Sequence, residues 1–111
     1  MNDHAIVISD IKGIINVWSA GCEKLFGHSA SEAIGQTLGL IVPEQYREQH
    51  WRGFHAAMRE GYAKIDGKTS NVPVLCQDGH VRSFASRIHL LRNGSGQIIG
   101  AMSIFSSGEA V

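Results

Sequence analysis

His50 is the side chain of this sequence best placed to do chemistry. Tyr46, His50, Phe54 and Met58 recur every four residues, a spacing that sets four side chains on one face of a helix. An imidazole on such an apolar stripe points into the core, where an unsatisfied polar group costs about 1–3 kcal/mol. The ring is therefore expected either to bond a backbone carbonyl or to coordinate a metal. Gly53 lies one turn on, at an interior helical position where glycine costs about 1 kcal/mol against alanine. A flat ligand that needs close approach to the backbone would account for it.

The remaining reactive side chains point elsewhere. His55 is five residues past His50 and so faces a different side of the helix, toward surface or rim. His28 and His80 fall in turns and are expected in solvent; His4 sits in a frayable terminus, and His89 lies on the strand face opposite Ile88. No histidine pair has the spacing of a zinc motif. Cys22 falls in a short helix and reads as core, and Cys76 stands beside a turn. The two cysteines form no C-x-x-C pair, which predicts reduced thiols in a cytoplasmic protein. No G-x-S-x-G, G-x-G-x-x-G or P-loop pattern occurs, and no acid–base pair has a motif behind it, so catalysis is not expected.

Ten basic residues balance ten acidic ones. A zero balance argues against nucleic acid or an anionic membrane as partner. Met1-Asn2-Asp3-His4 has no basic-then-apolar signal, and no apolar run approaches the length of a membrane span. The 111 residues are the size of one domain, and residues 1–111 are expected to form a single one.

The elements that must position His50 follow from local patterns. Ala5-Ile6-Val7-Ile8-Ser9 and Ile14-Ile15-Asn16-Val17-Trp18 read as strands of a hairpin around Asp10-Ile11-Lys12-Gly13. Ser19 is expected to cap a short helix ended by Gly27; Ser29 or Ser31 is expected to cap another around Glu32-Ala33-Ile34, closed by Gly35. Leu38-Gly39-Leu40-Ile41-Val42-Pro43 is an apolar stretch stopped by proline. The longest helix should begin just after Pro43 and run to Glu60, with Gly61 as its stop. Its wet side would carry Arg47, Glu48, Arg52, Arg59 and Glu60. Strand-like segments follow at residues 62–75, broken by Asp66-Gly67 and Pro73, at residues 81–91 and at residues 98–105. Gln77-Asp78-Gly79 and Asn93-Gly94-Ser95-Gly96 mark the turns between them. Along residues 81–91 the side chains of Arg82, Phe84, Ser86, Ile88 and Leu90 share one face. Strands at both ends of a helical middle predict an α+β domain on one antiparallel sheet.

That order of elements resembles the PAS fold: a five-stranded antiparallel sheet with short helices and one longer helix packed on one face. Residues 16–27, from Asn16 through Leu25-Phe26-Gly27, are similar to the N-x-A-x-E-x-L-F-G segment of that family. Glu32-Ala33-Ile34-Gly35 resembles its E-x-I-G, and Gln77-Asp78-Gly79 its K-D-G turn. The usual D-I-T ending is absent; Phe105-Ser106-Ser107 stands there. The resemblance covers nearly the whole chain.

Within that family, Ile41-Val42-Pro43-Glu44-Gln45-Tyr46-Arg47-Glu48-Gln49-His50 is similar to the L-x-P-E-x-Y-R-x-x-H segment of haem-binding PAS sensors, among them rhizobial oxygen-sensor kinases and an oxygen-regulated phosphodiesterase. The resemblance implies b-type haem (haem b) with His50 as proximal iron ligand, and a sensor of oxygen, carbon monoxide, nitric oxide or redox state. It also implies a homodimer coupled to an output domain such as a histidine kinase, a cyclase or phosphodiesterase, or a chemoreceptor. Gly53 departs from the family, which has a tyrosine beside its histidine. Ser70 stands where the kinases carry a distal arginine, and Lys68 where the phosphodiesterase carries a methionine. By alignment Ile65, Ser86, Ile88 and Met102 would line a differently built distal pocket. Ser86 would donate a hydrogen bond to bound oxygen, or Met102 approach the iron. Lys64 would pair with a propionate. Two alternatives stand beside this reading: a haem-free dimerisation module, and a pocket for another small ligand such as a metabolite or flavin.

Overall fold

The structure, a computed structural model, describes residues 3–107. Strands β1 (His4–Asp10) and β2 (Ile15–Trp18) form the expected hairpin. Its turn is set by Asp10, whose carboxylate accepts from the backbone N–H of Lys12 at 2.9 Å and of Ile14 at 3.0 Å, a local Asx arrangement that replaces ladder bonds. Helix α1 (Ala20–Phe26) follows and ends on Gly27 in the left-handed region. Ser19 holds the N-cap position, but its hydroxyl does not cap the helix. It accepts from the Ile6 N–H at 2.8 Å instead, tying the helix start to β1. Helix α2 (Ala30–Ala33) is capped by Ser29 in a reciprocal box with Glu32, which decides between the two serines.

Two single-turn 3-10 segments, Leu38–Ile41 and Glu44–Tyr46, precede the long helix α3 (Arg47–Glu60). The helix therefore starts one turn later than expected from Pro43. Gly61 stops it, its N–H bonded to the Ala57 carbonyl at 2.8 Å. Residues 62–68 are not strand. The Asp66 and Lys68 N–H groups bond back to the Ala63 and Ile65 carbonyls in tight turns, and the segment joins β4 through an isolated bridge between Asp66 and Ile88. β3 (Thr69–Leu75), β4 (Val81–Arg92) and β5 (Ile98–Ser106) complete it.

The sheet order is β2-β1-β5-β4-β3, with every neighbouring pair antiparallel. β3 is an edge, which is where Pro73 costs least. Ala5, Val7 and Ser9 of β1 lie across from Phe105, Ser103 and Ala101 of β5. Those three in turn lie across from Ser86, Ile88 and Leu90 of β4. This is the inner face, and the helices cover it. Phe26 is its centre, 1% exposed, with ring centroids 5.9 Å from Trp18, 5.3 Å from Phe84 and 5.1 Å from Phe105. Packing is close on the α1 side. On the other side Ala57 is the one buried residue of α3, and the space between that helix and the sheet is not filled by side chains.

A cavity between the long helix and the sheet

The unfilled space is a cavity of about 860 Å³, within the size range of small-molecule and cofactor sites. α3 contributes His50, Gly53, Phe54 and Ala57 to one wall. The inner face of the sheet contributes Val72 and Val74 of β3, Ser86, Ile88 and Leu90 of β4, and Ser103 and Phe105 of β5. Tyr62, Lys64 and Ile65, from the segment after α3, form its rim. The wall is mostly apolar, and Lys64 is the one lysine or arginine in it among the described residues.

His50 is half-buried in that wall. Its ring lies 4.8 Å from the Trp51 ring and nearly parallel to Phe54, 6.1 Å away at 19°. Burial holds its basicity below the usual histidine value, and the neighbouring His55 adds to the effect. The Nδ1 atom is buried and has no hydrogen-bond partner among the described residues, so the bond to a backbone carbonyl is not made there. Ser86, on the opposite wall, is 3% exposed and its hydroxyl likewise has no partner.

Eight of the nine residues singled out from the sequence line this cavity: His50, Tyr46, Gly53, Phe54, Lys64, Ile65, Ser86 and Ile88. Met102 does not. It pairs with Ile8 and His89, so it stands on the outer face of the sheet and cannot approach anything held inside. Neighbouring side chains on a strand alternate, and Ser103 is the β5 residue that faces inward at that level. Tyr46 lines the rim rather than the interior and is 42% exposed. It belongs to the 3-10 turn that leads into α3. Ser70 and Lys68 are exposed and outside the cavity wall.

Other expectations divide. His55 is exposed, stacked on Trp51 at 5.6 Å. His4 and His80 are exposed. His28, expected in solvent, is tucked in with 15% of its side chain exposed, 3.7 Å from Glu32 and against the Trp18 ring. Cys22 and Cys76 are both buried free thiols, and burial pushes the Cys22 thiol up, which makes it unreactive. Among the described residues, no group of three or more His, Cys, Asp or Glu could hold a metal ion, and no helix is long and apolar enough to cross a membrane.

The four-residue spacing does not single out Trp51, which neighbours the stripe. It wedges beside the β1–β2 turn: a Cβ on Gly13 would lie 2.5 Å from its ring. A Cβ on Gly39 would lie 3.8 Å from the same indole, an ordinary packing distance. Two glycines converging on one aromatic ring clamp the start of α3, and with it His50, to the hairpin. The glycines are visible in the sequence; their convergence is not.

The family model described as the PAS fold matches residues 2–107. Among curated proteins, the sensor protein FixL of Bradyrhizobium diazoefficiens is 44% identical over 46 residues, 41% of this chain and 9% of that protein. A probable serine/threonine-protein kinase of Dictyostelium discoideum is 34% identical over 79 residues, 71% of this chain and 5% of that protein. The chain thus spans less than a tenth of the length of either relative. Among solved structures, the PAS domain of a Colwellia psychrerythraea protein superposes with a TM-score of 0.77 at 28% identity, covering 92% of this chain and 83% of that one. The PAS domain of the Cronobacter turicensis quorum-sensing receptor RpfR, in complex with C12:0, superposes with a TM-score of 0.65 at 22% identity, covering 94% and 90%.

Proposed function

The chain belongs to the PAS family, and on that premise we propose that it is a sensory domain whose cavity takes b-type haem, with His50 as the protein ligand to iron. One observation carries the reading: a half-buried imidazole whose buried Nδ1 has no protein partner stands in the wall of an apolar cavity of about 860 Å³. A lone imidazole is a weak site for a bare ion, and none of the described residues joins it in a chelating cluster. A porphyrin brings four ligands of its own, so a single axial histidine suffices.

The other wall residues suit the same group. Phe54 and Ile88 offer apolar faces, and Gly53 lets a flat ring approach the helix backbone. Lys64, at the rim, would meet a propionate while staying in water. Tyr46 and Ile65 flank that mouth. Haem supplies reversible binding of a diatomic gas or a one-electron redox change. The protein would supply a mostly apolar cavity, His50 packed against Trp51 to hold the iron, and a route outward. β5 lends Ser103 and Phe105 to the cavity wall. Its end meets the start of β1, where the Asp3 N–H donates to the Ser107 hydroxyl at 2.8 Å. A change in the cavity therefore bears directly on the last strand of the sheet. Signalling requires contacts that differ between the two cavity states; a dimer partner and an output domain are the receivers in this reading. The domain senses and does not catalyse. A haem-free interaction module would leave so large an apolar space without a purpose, since an empty cavity forfeits packing contacts.

Purified protein titrated with haem should develop a Soret band, and His50→Ala should abolish it. A band that persists in the variant overturns the ligand assignment. Native mass spectrometry of protein from cells distinguishes haem from another small molecule.

A further inference from the structure

We propose that Arg92 is a latch that holds the C-terminal end of α3 over the sheet and so gates the mouth of the cavity. The inference rests on the haem reading only for what passes through that mouth; the latch itself is a property of the empty domain.

α3 is fixed over the cavity chiefly by its ends. Ala57 is its one buried residue, so little apolar packing sets the distance between helix and sheet. At the start of the helix Trp51 lies against Gly13 of the β1–β2 turn. At the other end Gly61 adopts φ +70° and presents its carbonyl to β4. The Arg92 guanidinium donates to that carbonyl through one nitrogen and to the Gly96 carbonyl, at 3.2 Å, through another. A single planar fork thus joins the helix end to the β4–β5 turn. Its positive charge also suits the negative end of the helix dipole.

The same joint governs the rim. Tyr62, Lys64 and Ile65 follow directly on Gly61 and line the cavity, yet Tyr62 is 60% and Ile65 52% exposed. Packing does not hold this segment down. Its two ends do, and both are tied to β4. At the far end the Gly67 N–H donates to the Ile88 carbonyl at 2.7 Å, and the Asp66 carboxylate accepts from the Leu90 N–H at 3.3 Å. The near end hangs on Arg92, an exposed side chain whose bonds water can replace at small net cost. Releasing it frees the last turn of α3 and the rim together, and opens a route for a ligand to enter and leave.

The test compares wild type, Arg92→Ala and Arg92→Lys, with Arg87→Ala as a control for charge lost from the same strand; the Arg87 guanidinium meets Thr69 of β3 instead. In haem-free protein, amide hydrogen exchange over the last turn of α3 and the rim should quicken ~5–20-fold in Arg92→Ala, the worth of one charge-assisted bond at the surface. Arg92→Lys should show a smaller gain, since an ammonium lacks the fork. Exchange in β1 and β5 should stay within about twofold of wild type, and Arg87→Ala should match wild type throughout. Haem uptake, and haem loss to apomyoglobin, should both quicken ~5–20-fold in Arg92→Ala with affinity within about twofold, because a latch shut before and after binding alters the path and not the end states. Unchanged exchange at the end of α3 sinks the latch. Quickening spread evenly over β1 and β5 also sinks it, by showing a general loss of stability. Faster local exchange with unchanged haem rates overturns the gate. If wild type takes up no haem, the haem reading fails, and the exchange result still decides the latch.

Discussion

Gly53→Ala separates the needs of the empty fold from the needs of its ligand. Gly53 is an interior residue of the 14-residue helix α3. It has no positive φ, and a Cβ built there meets nothing within 4 Å. Alanine should therefore be accepted without movement and should stabilise the haem-free domain by about 0.8–1 kcal/mol through helix propensity alone. For a domain of this length that corresponds to a rise of about 3–6 °C in thermal midpoint. The same methyl enters the cavity wall. If a flat ligand lies against the helix backbone there, overpacking of about 1–3 kcal/mol should weaken its binding ~5–150-fold. Circular dichroism melts of haem-free protein, paired with haem titrations followed at the Soret band, read both quantities on the same samples. A midpoint that does not rise would refute the claim that the site is open. An unchanged haem affinity would refute the claim that glycine is there for the ligand.

Two further outcomes follow from the geometry around His50. Gly13→Ala should destabilise the domain by more than about 2 kcal/mol, because Gly13 has φ +82° and its Cβ would press on Trp51. In a Trp51→Ala background the cost should drop to the backbone part, about 1–2 kcal/mol; a urea double-mutant cycle that finds no coupling would remove Trp51 as the clamp. Burial, and after it His55, holds His50 below its ordinary 6.5, so the folded chain takes up this proton less readily than the unfolded chain. The stability contributed by neutral His50 is complete above that ordinary value and is lost as pH falls below it toward the folded value. Haem-free wild type should thus lose more stability than His50→Gln between pH 7.5 and 5.5, by urea midpoints; equal losses would contradict the burial of the ring.

Much of this architecture was legible because it is local. Gly27 and Gly61 end helices by adopting a conformation other residues resist, and their effect does not depend on distant parts of the chain. The Asp78-Gly79 turn, the Asp10 turn and the alternation that sets Phe84, Ser86 and Ile88 on one face are likewise short-range. The four-residue recurrence of His50 and Phe54 placed both in one wall of the cavity for the same reason.

Misplaced residues share the opposite character. Alignment alone puts Met102 in the pocket, but which face of β5 looks inward depends on its register with β1 and β4. Ser19 had two available donors, its own helix and the Ile6 N–H, and the proximity of β1 settled the choice. His28 looked like a turn residue until Trp18 and Glu32 closed around it. Residues 62–68 carried strand-like composition, yet their turns hold them at the cavity rim.

Periodicity, turn chemistry and caps in the 111 residues were enough to establish the order of elements and the inward histidine, since each acts over a few bonds of chain. The cavity itself, its two unpartnered polar atoms and the indole clamped by Gly13 and Gly39 arise from segments far apart in sequence. They exist only once α3 stands over the sheet, because register and packing distance are properties of paired elements that neither member encodes alone.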